Sequence, residues 1–297
     1  MFTTPLRNPA GNPQRQRRRL TLGGLALPLA ALAAPAVRAG TGFDLGHGAW
    51  TALLARHVVL LRGGQASQVR YAGFAAQRAA LADYLNDLST VRREAFDAWT
   101  GADQQAFLIN AYNAFTVELI LTRWPRLTSI KDIGGLLGNP WRPRWITLLG
   151  QQVSLDDIEH RMLRERGRYD EPRVHFAVNC ASVGCPMLRE QAYVGAQLDD
   201  QFAEQEARFM ADRTRNRWSS ERGRLELSRI FDWFGDDFRQ GHRGIASLEA
   251  FVARHADRLA DAAADRERLR AGRFGIGYLA YDWALNAAPA DAHGAKS

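Results

Sequence analysis

The chain has little cysteine and no long apolar run past its leader, and its first 39 residues contain no acidic side chain. Two cysteines in 297 residues, Cys180 and Cys185, cannot build the dense disulfide framework of a small secreted domain. Their Cys-x4-Cys spacing is not the Cys-x-x-Cys of disulfide oxidoreductases. Beyond residue 39 no stretch approaches the ~18 apolar residues of a membrane-spanning helix, and there is no internal repeat or low-complexity linker. What remains, 46% hydrophobic and 24% charged residues, is an ordinary globular composition with enough apolar side chains for a full core.

The missing acids at the amino terminus distort the formal net charge of +7. Arg7, Arg15, Arg17, Arg18, Arg19 and Arg38 all lie in that stretch; setting these six aside leaves 33 basic against 32 acidic residues. A chain so nearly neutral carries no electrostatic footprint for nucleic acid or an anionic membrane. The same stretch reads as an export signal. A basic segment precedes a mild apolar run from Leu20 to about Val37, interrupted by Gly23, Gly24, Pro28 and Pro35, and Val37-Arg38-Ala39 forms a small-x-small cleavage site. Arg17-Arg18-Arg19-Leu20 resembles the bacterial twin-arginine pattern; the alternative is an ordinary secretory signal with a basic start. No cysteine stands at the expected place after the apolar run, so a lipoprotein anchor is not expected. The expectation is a cleavable signal over 1–39, recognised by the export machinery, and a periplasmic or secreted protein with no membrane contact after cleavage. In that oxidising compartment two thiols tend to be joined.

The rest reads as amino-terminal helices over 40–99, a core domain over 100–287 and a disordered tail over 288–297. Thr100 and Asp103 form a capping box opening a helix whose middle, AFLINAYNAF, is apolar nearly all round and therefore buried. Asn110 and Asn113 share one face of it. Either they bridge backbone groups of a nearby loop or they position a substrate or catalytic loop. Ile146–Leu149 and Gln152–Val153 read as a hairpin with a type II′ turn at Gly150-Gln151. Ser154 then caps a helix with Asp157 at its third position. At 100° per residue, Leu155, Ile158 and Met162 define a core stripe with Glu159 inside it and His160 nearer its edge. A carboxylate there either pairs with a base or serves a site. Arg173–Val178 has the pattern of a covered strand, which puts Cys180 at the carboxyl end of a strand, where α/β proteins place sites. Ser182 and Gly184-Cys185-Pro186 follow in a turn. The fold expected is α+β: a mostly helical single domain around a small central sheet, with a cysteine-peptidase-like arrangement as one form of it.

Six blocks, AFLINAYNAFTVELIL, SIKDIGG, VSLDDIEHRMLR, NCASVGCPML, IFDWFGDDF and YLAYDWALN, together resemble the family called domain of unknown function 547. They run in the family's order from about Thr100 to Asn286. The resemblance implies one family domain and, as the name says, no established activity. Within the blocks Asn110, Asn113, Glu159, His160, Cys180, Cys185 and Asp282, and just ahead of the fourth block His175, are polar side chains in apolar contexts.

Three chemistries compete for them. In the first, a thiol hydrolase or acyltransferase acting on a small molecule, peptide or cell-wall fragment, Cys180 is the nucleophile. His160 is the preferred base with His175 second, and Glu159 or an asparagine orients it, while Asn110, Asn113, Asn179 and Ser182 face the substrate. In the second, Cys180 and Cys185 form a structural disulfide in a non-catalytic binding or scaffold domain. The third, a metal site from His160, His175, Cys180 and Cys185, fits no compact zinc spacing, so no cofactor is expected. The histidines His57 and His255 read as core or rim residues, and Asp282 as an arginine partner. Trp99, Trp124, Trp141, Trp145, Trp218, Trp233 and Trp283 read as core and loop anchors rather than a sugar-binding groove.

Overall fold

The structure, a computed structural model, describes residues 42–134 and 138–289. The expected signal at 1–39 lies outside the described residues, as does the expected tail beyond Pro289. The α+β expectation holds: short helices and small sheets surround one long buried helix.

Helices α1 (Gly48–His57), α2 (Tyr71–Ala76), α3 (Arg78–Thr90) and α4 (Arg93–Asp97) come first, with strands β1 (Val58–Leu61) and β2 (Ala66–Val69) paired antiparallel after α1. The long helix is α5 (Gly101–Leu121). It begins where the capping box predicts: Thr100 Oγ1 accepts from the Asp103 amide at 3.1 Å and donates to the Asp103 carboxylate at 2.6 Å. The absence of a polar stripe means that α5 has no solvent face, and it is buried along nearly its whole length, with α2 and α3 packed on it. Replacing Thr100 with Ala should cost about 1 kcal/mol in urea unfolding; an unchanged midpoint would show that the cap contributes nothing.

Strands β3 (Ile146–Leu148) and β4 (Gln151–Val153) form the expected hairpin, with Ile146 opposite Val153. The turn differs. Leu149 and Gly150 both take positive φ, 52° and 76°, so it is a type I′ turn one residue earlier than expected. Register decides this, because the pairing keeps Ile146, Leu148 and Val153 on the buried side, and a one-residue slip would turn them outward.

Two elements depart from their sequence pattern, and both bear on the site. The helix capped by Ser154 does start with a reciprocal pair: the Asp157 amide donates to Ser154 Oγ and the Ser154 amide to Asp157 Oδ2, each at 3.0 Å. It then widens to a π-helix over Asp157–Leu163. With i→i+5 bonding, Ile158 and Leu163 share the buried side, Met162 is only half-buried and Glu159 stands at the margin rather than inside the core stripe.

The segment expected as strand Arg173–Val178 is a 3-10 helix, Pro172–Phe176. Pro172 presets a helical start and the Glu171 side chain caps the Arg173 amide, while Val174 and Ala177 donate to carbonyls three residues back. Tertiary anchors override the β-compatible composition. Arg173 is held by Glu171 and Asp199, at 2.7 and 2.6 Å, and Arg243 closes on Glu171 at 2.6 Å. The segment runs between two apolar clusters. Val174, Ala177 and Val178 belong to the one around α5. Phe176 belongs to the second, packed on Phe209, Phe231, Phe238 and Phe251 at ring separations of 5.1 to 6.0 Å. Cys180 therefore follows a buried crossing between two cores, not the end of a strand.

The second cluster is built from α6 (Leu198–Ala211), α7 (Ile230–Trp233), α8 (Leu248–Ala253), α9 (Ala256–Leu259) and α10 (Ala263–Arg270). The sheet beside it comprises β5 (Arg217–Ser219), β6 (Arg224–Leu227) and β7 (Ile276–Tyr278), with β5 and β6 antiparallel and β6 and β7 parallel. The chain then returns to the first cluster, where Ala288, at the start of the expected tail, donates to the Val69 carbonyl at 2.8 Å.

Buried His47 gives the fold a pH dependence. Its Nδ1 meets the Tyr84 hydroxyl at 2.7 Å, and burial lowers its pKa to about 4. The unfolded chain binds a proton near pH 6.5 that the folded chain refuses until about pH 4, so stability falls as pH drops through that window, by on the order of 3 kcal/mol in full. His47→Gln should flatten the decline in melting temperature between pH 6.5 and 4; an undiminished slope would assign it to other groups.

Candidate functional site

The cysteine segment is held from below by asparagines. Asn113, on α5, donates from Nδ2 to the Ala177 carbonyl at 3.0 Å and accepts at Oδ1 from the Asn179 amide at 2.8 Å. Asn179 accepts at Oδ1 from the Ala181 amide (3.0 Å) and from Asn286 Nδ2 (3.2 Å), and donates to the Pro186 carbonyl at 2.7 Å. Asn110 does the same for a different loop, pairing with both backbone groups of Tyr193 at 2.7 and 2.9 Å. All of these amides are buried and satisfied, so Asn110, Asn113 and Asn179 brace loops rather than face a ligand.

The bracing holds a strained turn. Ala181, immediately after Cys180, has φ of 65°, a left-handed conformation costing on the order of 1 kcal/mol for a residue with a Cβ. Residues 182–184 then lie against 282–285: Val183 donates to the Ala284 carbonyl and Gly184 to the Asp282 carbonyl, both at 2.8 Å. The approach at Gly184 is so close that a Cβ would stand 2.9 Å from the Asp282 nitrogen. Asp282 accepts from the Ala284 amide at 2.9 Å and, among the described residues, pairs with no arginine within 4 Å.

Both cysteines are free thiols. Cys180 alone in the run from Glu171 to Ala181 is partly exposed; the others are buried. Its Sγ lies 3.3 Å from Ser182 Oγ and 3.2 Å from the Tyr281 hydroxyl, and its amide donates to Cys185 Sγ at 3.0 Å. A hydrogen bond from Cys185, with further ones from Ser182 and Tyr281, outweighs burial and lowers the Cys180 thiol to about 7. Burial and the neighbouring sulfur push Cys185 well above its ordinary value, so it stays a thiol and a donor. Burial keeps Tyr281 protonated in the same way. Of the residues expected at the substrate, Ser182 is the one whose side chain reaches the sulfur.

The two candidate histidines differ. His175 is buried, stacked on Phe234 at 4.0 Å, with Nε2 2.7 Å from Asp237 Oδ2. Its Nδ1 is buried and has no hydrogen-bond partner. Burial lowers its pKa, so the imidazole is neutral near pH 7 and able to take a proton. Asp237 is opposed by its own burial, but hydrogen bonds from His175 and from Arg164, at 2.6 and 3.1 Å, hold it well below the usual carboxylate range. His160 is exposed, and its Nδ1 faces Arg164 Nη1 at 3.1 Å. The arginine N–H thus occupies that nitrogen. The geometry thus favours His175 over His160, reversing the sequence preference. Neither side chain comes within hydrogen-bond distance of Cys180 Sγ.

Cys180, His175, His160 and Glu159 line one cleft of about 250 Å3, with Asp156, Tyr112 and Tyr281. Trp141, Trp233, Phe234 and Trp283 form its aromatic walls. Trp233 lies 5.7 Å from Trp283, and Tyr281 lies 4.5 Å from it. These tryptophans gather at the candidate site, although Trp141, like half-buried Trp99 and Trp124, also packs against the core around α5 in which Trp50 is buried. A larger, strongly charged depression of about 450 Å3 shares His160 but contains no cysteine. His57 and His255 pair with Gln77 (2.7 Å) and Glu206 (2.8 Å) in the structural roles expected of them. Among the described residues, no group of three His, Cys, Asp or Glu side chains is placed to hold a metal ion, and no helix is long and apolar enough to cross a membrane.

Sequence reasoning missed Asp237, Tyr281 and Tyr112. Each stands in one of the six quoted blocks, which was the available signal; what it did not convey was which side chain of IFDWFGDDF turns toward His175.

Residues 96–210 match the family described as protein of unknown function, DUF547, in agreement with the resemblance of the six blocks. The match spans α5, the π-helix and both cysteines and stops before Asp237 and Tyr281. No curated protein and no solved structure gives a significant match.

Proposed function

We propose that the protein is an exported, thiol-dependent hydrolase or acyltransferase in which Cys180 is the nucleophile, His175 its base and Asp237 the carboxylate that orients the imidazole. The observation that carries this reading is the composition of one cleft. It holds a cysteine with a lowered pKa and a neutral imidazole with one free nitrogen and the other on a carboxylate. Cysteine, histidine and an orienting acid are what thiol acyl transfer requires. The export half of the reading is supported by the basic, then apolar, leader over 1–39.

Cys180 gives its proton to His175 through a bridging water, because the two side chains are not in direct hydrogen-bond contact, and the thiolate adds to an acyl carbonyl carbon, forming a C–S bond. The leaving group departs with the electrons of its own bond to that carbon and takes the proton from His175. Water, or an amine or alcohol acceptor, then attacks the thioester while its proton passes to His175. The C–S bond breaks, and the thiolate is restored. Tyr281 and Ser182, as donors to Sγ, stabilise the thiolate form.

A second reading, a binding or scaffold domain closed by a Cys180–Cys185 disulfide, is favoured by the Cys185 sulfur lying against the Cys180 amide. Exposure to an activated ester such as p-nitrophenyl acetate, followed by rapid acid quench and peptide mapping, separates the two. The enzyme reading expects an acetyl group on Cys180, and acetylation confined to surface nucleophiles contradicts it.

A further inference from the structure

Glu159 is a carboxylate without a cation. It stands half-buried on the wall of the Cys180 cleft, which Tyr112 also lines, and among the described residues it forms no ion pair within 4 Å. A carboxylate in an aromatic cleft is costly to leave uncompensated. The chain has 39 Lys and Arg residues, and many of its other acids are paired with arginine, yet no arginine or lysine lines this cleft among the described residues. The second carboxylate there, Asp156, has only distant partners, Arg142 at 3.7 Å and His160 at 4.0 Å.

The walls suit the same kind of ligand. Aromatic faces attract ammonium groups through their quadrupoles, tryptophan most strongly. The chain itself supplies an instance: the Lys131 ammonium sits 3.7 Å from the ring centroid of Trp283, at the rim. Trp141 and Trp233 line the cleft and carry no such cation among the described residues, and Trp233 is 45% exposed. Deeper in, His175 Nδ1 is buried and unpartnered. Carboxylates without close cations, indole rings that carry no cation and an unsatisfied polar atom thus converge on one cavity.

We propose that the Cys180 cleft selects substrates bearing an ammonium group, as in an amine, an amino ester or a peptide with a free amino group, with Glu159 as its counter-charge and Trp141 and Trp233 as its walls. As a statement about substrates it rests on the reading of Cys180 as the nucleophile; as a statement about binding it can be tested without the thiol. Glu159 shares the cleft with Cys180 and His175, so a ligand held by its ammonium there is bound in the cavity that contains the thiol. Neutral and anionic analogues forgo that contact, and anions are repelled by Glu159 and Asp156.

The test uses the full chain carrying Cys180→Ala, titrated with benzylammonium, benzyl alcohol and benzoate and followed by intrinsic tryptophan fluorescence. Benzylammonium should bind saturably and at least about tenfold more tightly than benzyl alcohol, with benzoate weakest. Adding Glu159→Gln should bring benzylammonium down to the level of benzyl alcohol. Trp233→Ala, at an exposed side chain whose loss the fold tolerates, should weaken benzylammonium severalfold. Equal affinity for the ammonium and the alcohol, or a preference that survives Glu159→Gln, overturns the proposal. Because the sulfur is absent throughout, an unreactive Cys180 in the wild-type protein would defeat the catalytic reading and leave this result standing; loss of ammonium preference beside a reactive Cys180 would do the reverse.

Discussion

Cys180→Ala should lower the rate of acyl transfer from an activated ester by about a thousandfold or more, while the melting temperature stays nearly unchanged. The magnitude follows from removing the nucleophile of a covalent mechanism, which leaves only binding and polarisation. The small effect on stability follows from position: the side chain is partly exposed, and its contacts are to Ser182 and Tyr281, which retain other surroundings. His175→Ala should cost nearly as much, since no second imidazole on the cleft has a carboxylate at hydrogen-bond distance and a free nitrogen. Asp237→Asn should fall between, about a hundred- to ten-thousandfold, because an amide can donate to Nε2 and so favour the tautomer that leaves the wrong nitrogen protonated. His160→Ala should fall less than tenfold. The measurement is steady-state hydrolysis above background with each purified variant, and substantial activity in Cys180→Ala would remove the thiol from the mechanism. The rate should also rise with pH through about 7, as the thiolate forms.

Asn113→Ala should destabilise the domain by about 3 kcal/mol, read from the urea midpoint at unchanged slope. The side chain satisfies two buried backbone groups at once, the Ala177 carbonyl and the Asn179 amide, and an alanine satisfies neither. Water cannot substitute, because Asn113, Ala177 and Asn179 are all buried. Asn110→Ala should destabilise comparably through Tyr193. The two differ in their effect on the thiol. Asn113 fixes the turn on which Cys180 stands, so its loss should slow alkylation of Cys180, whereas loss of Asn110 should not. Equal effects on the thiol would mean that Asn113 acts only through global stability.

That comparison also shows what the sequence conveyed. An all-apolar helix with two asparagines on one face announces that those amides must find partners inside the protein, and the bridging alternative is the one realised. The capping boxes at Thr100 and Ser154 were legible because they are local, each completed within three residues. The Arg173–Val178 segment was misread for the opposite reason. Its composition fits a strand, but its conformation is set by Asn113, Asp199, Asp237 and Arg243, all distant in sequence. The π-helix over Asp157–Leu163 likewise shifted Glu159 and His160 away from the faces a regular 100° step assigns. Choosing the base from that reading favoured His160. The geometry favours His175, because the acid that orients it comes from a turn 62 residues later.

The central claim is that Cys180 is an activated free thiol on an open cleft. It is tested most directly by counting alkylated thiols in the purified protein by intact mass, with iodoacetamide, from pH 5 to 9. One thiol, mapped to Cys180, should react with a midpoint near pH 7, and Cys185 should remain unmodified until the protein unfolds. Two sulfurs that react only after reduction, or a single thiol reacting with the midpoint of an ordinary cysteine, would contradict the account.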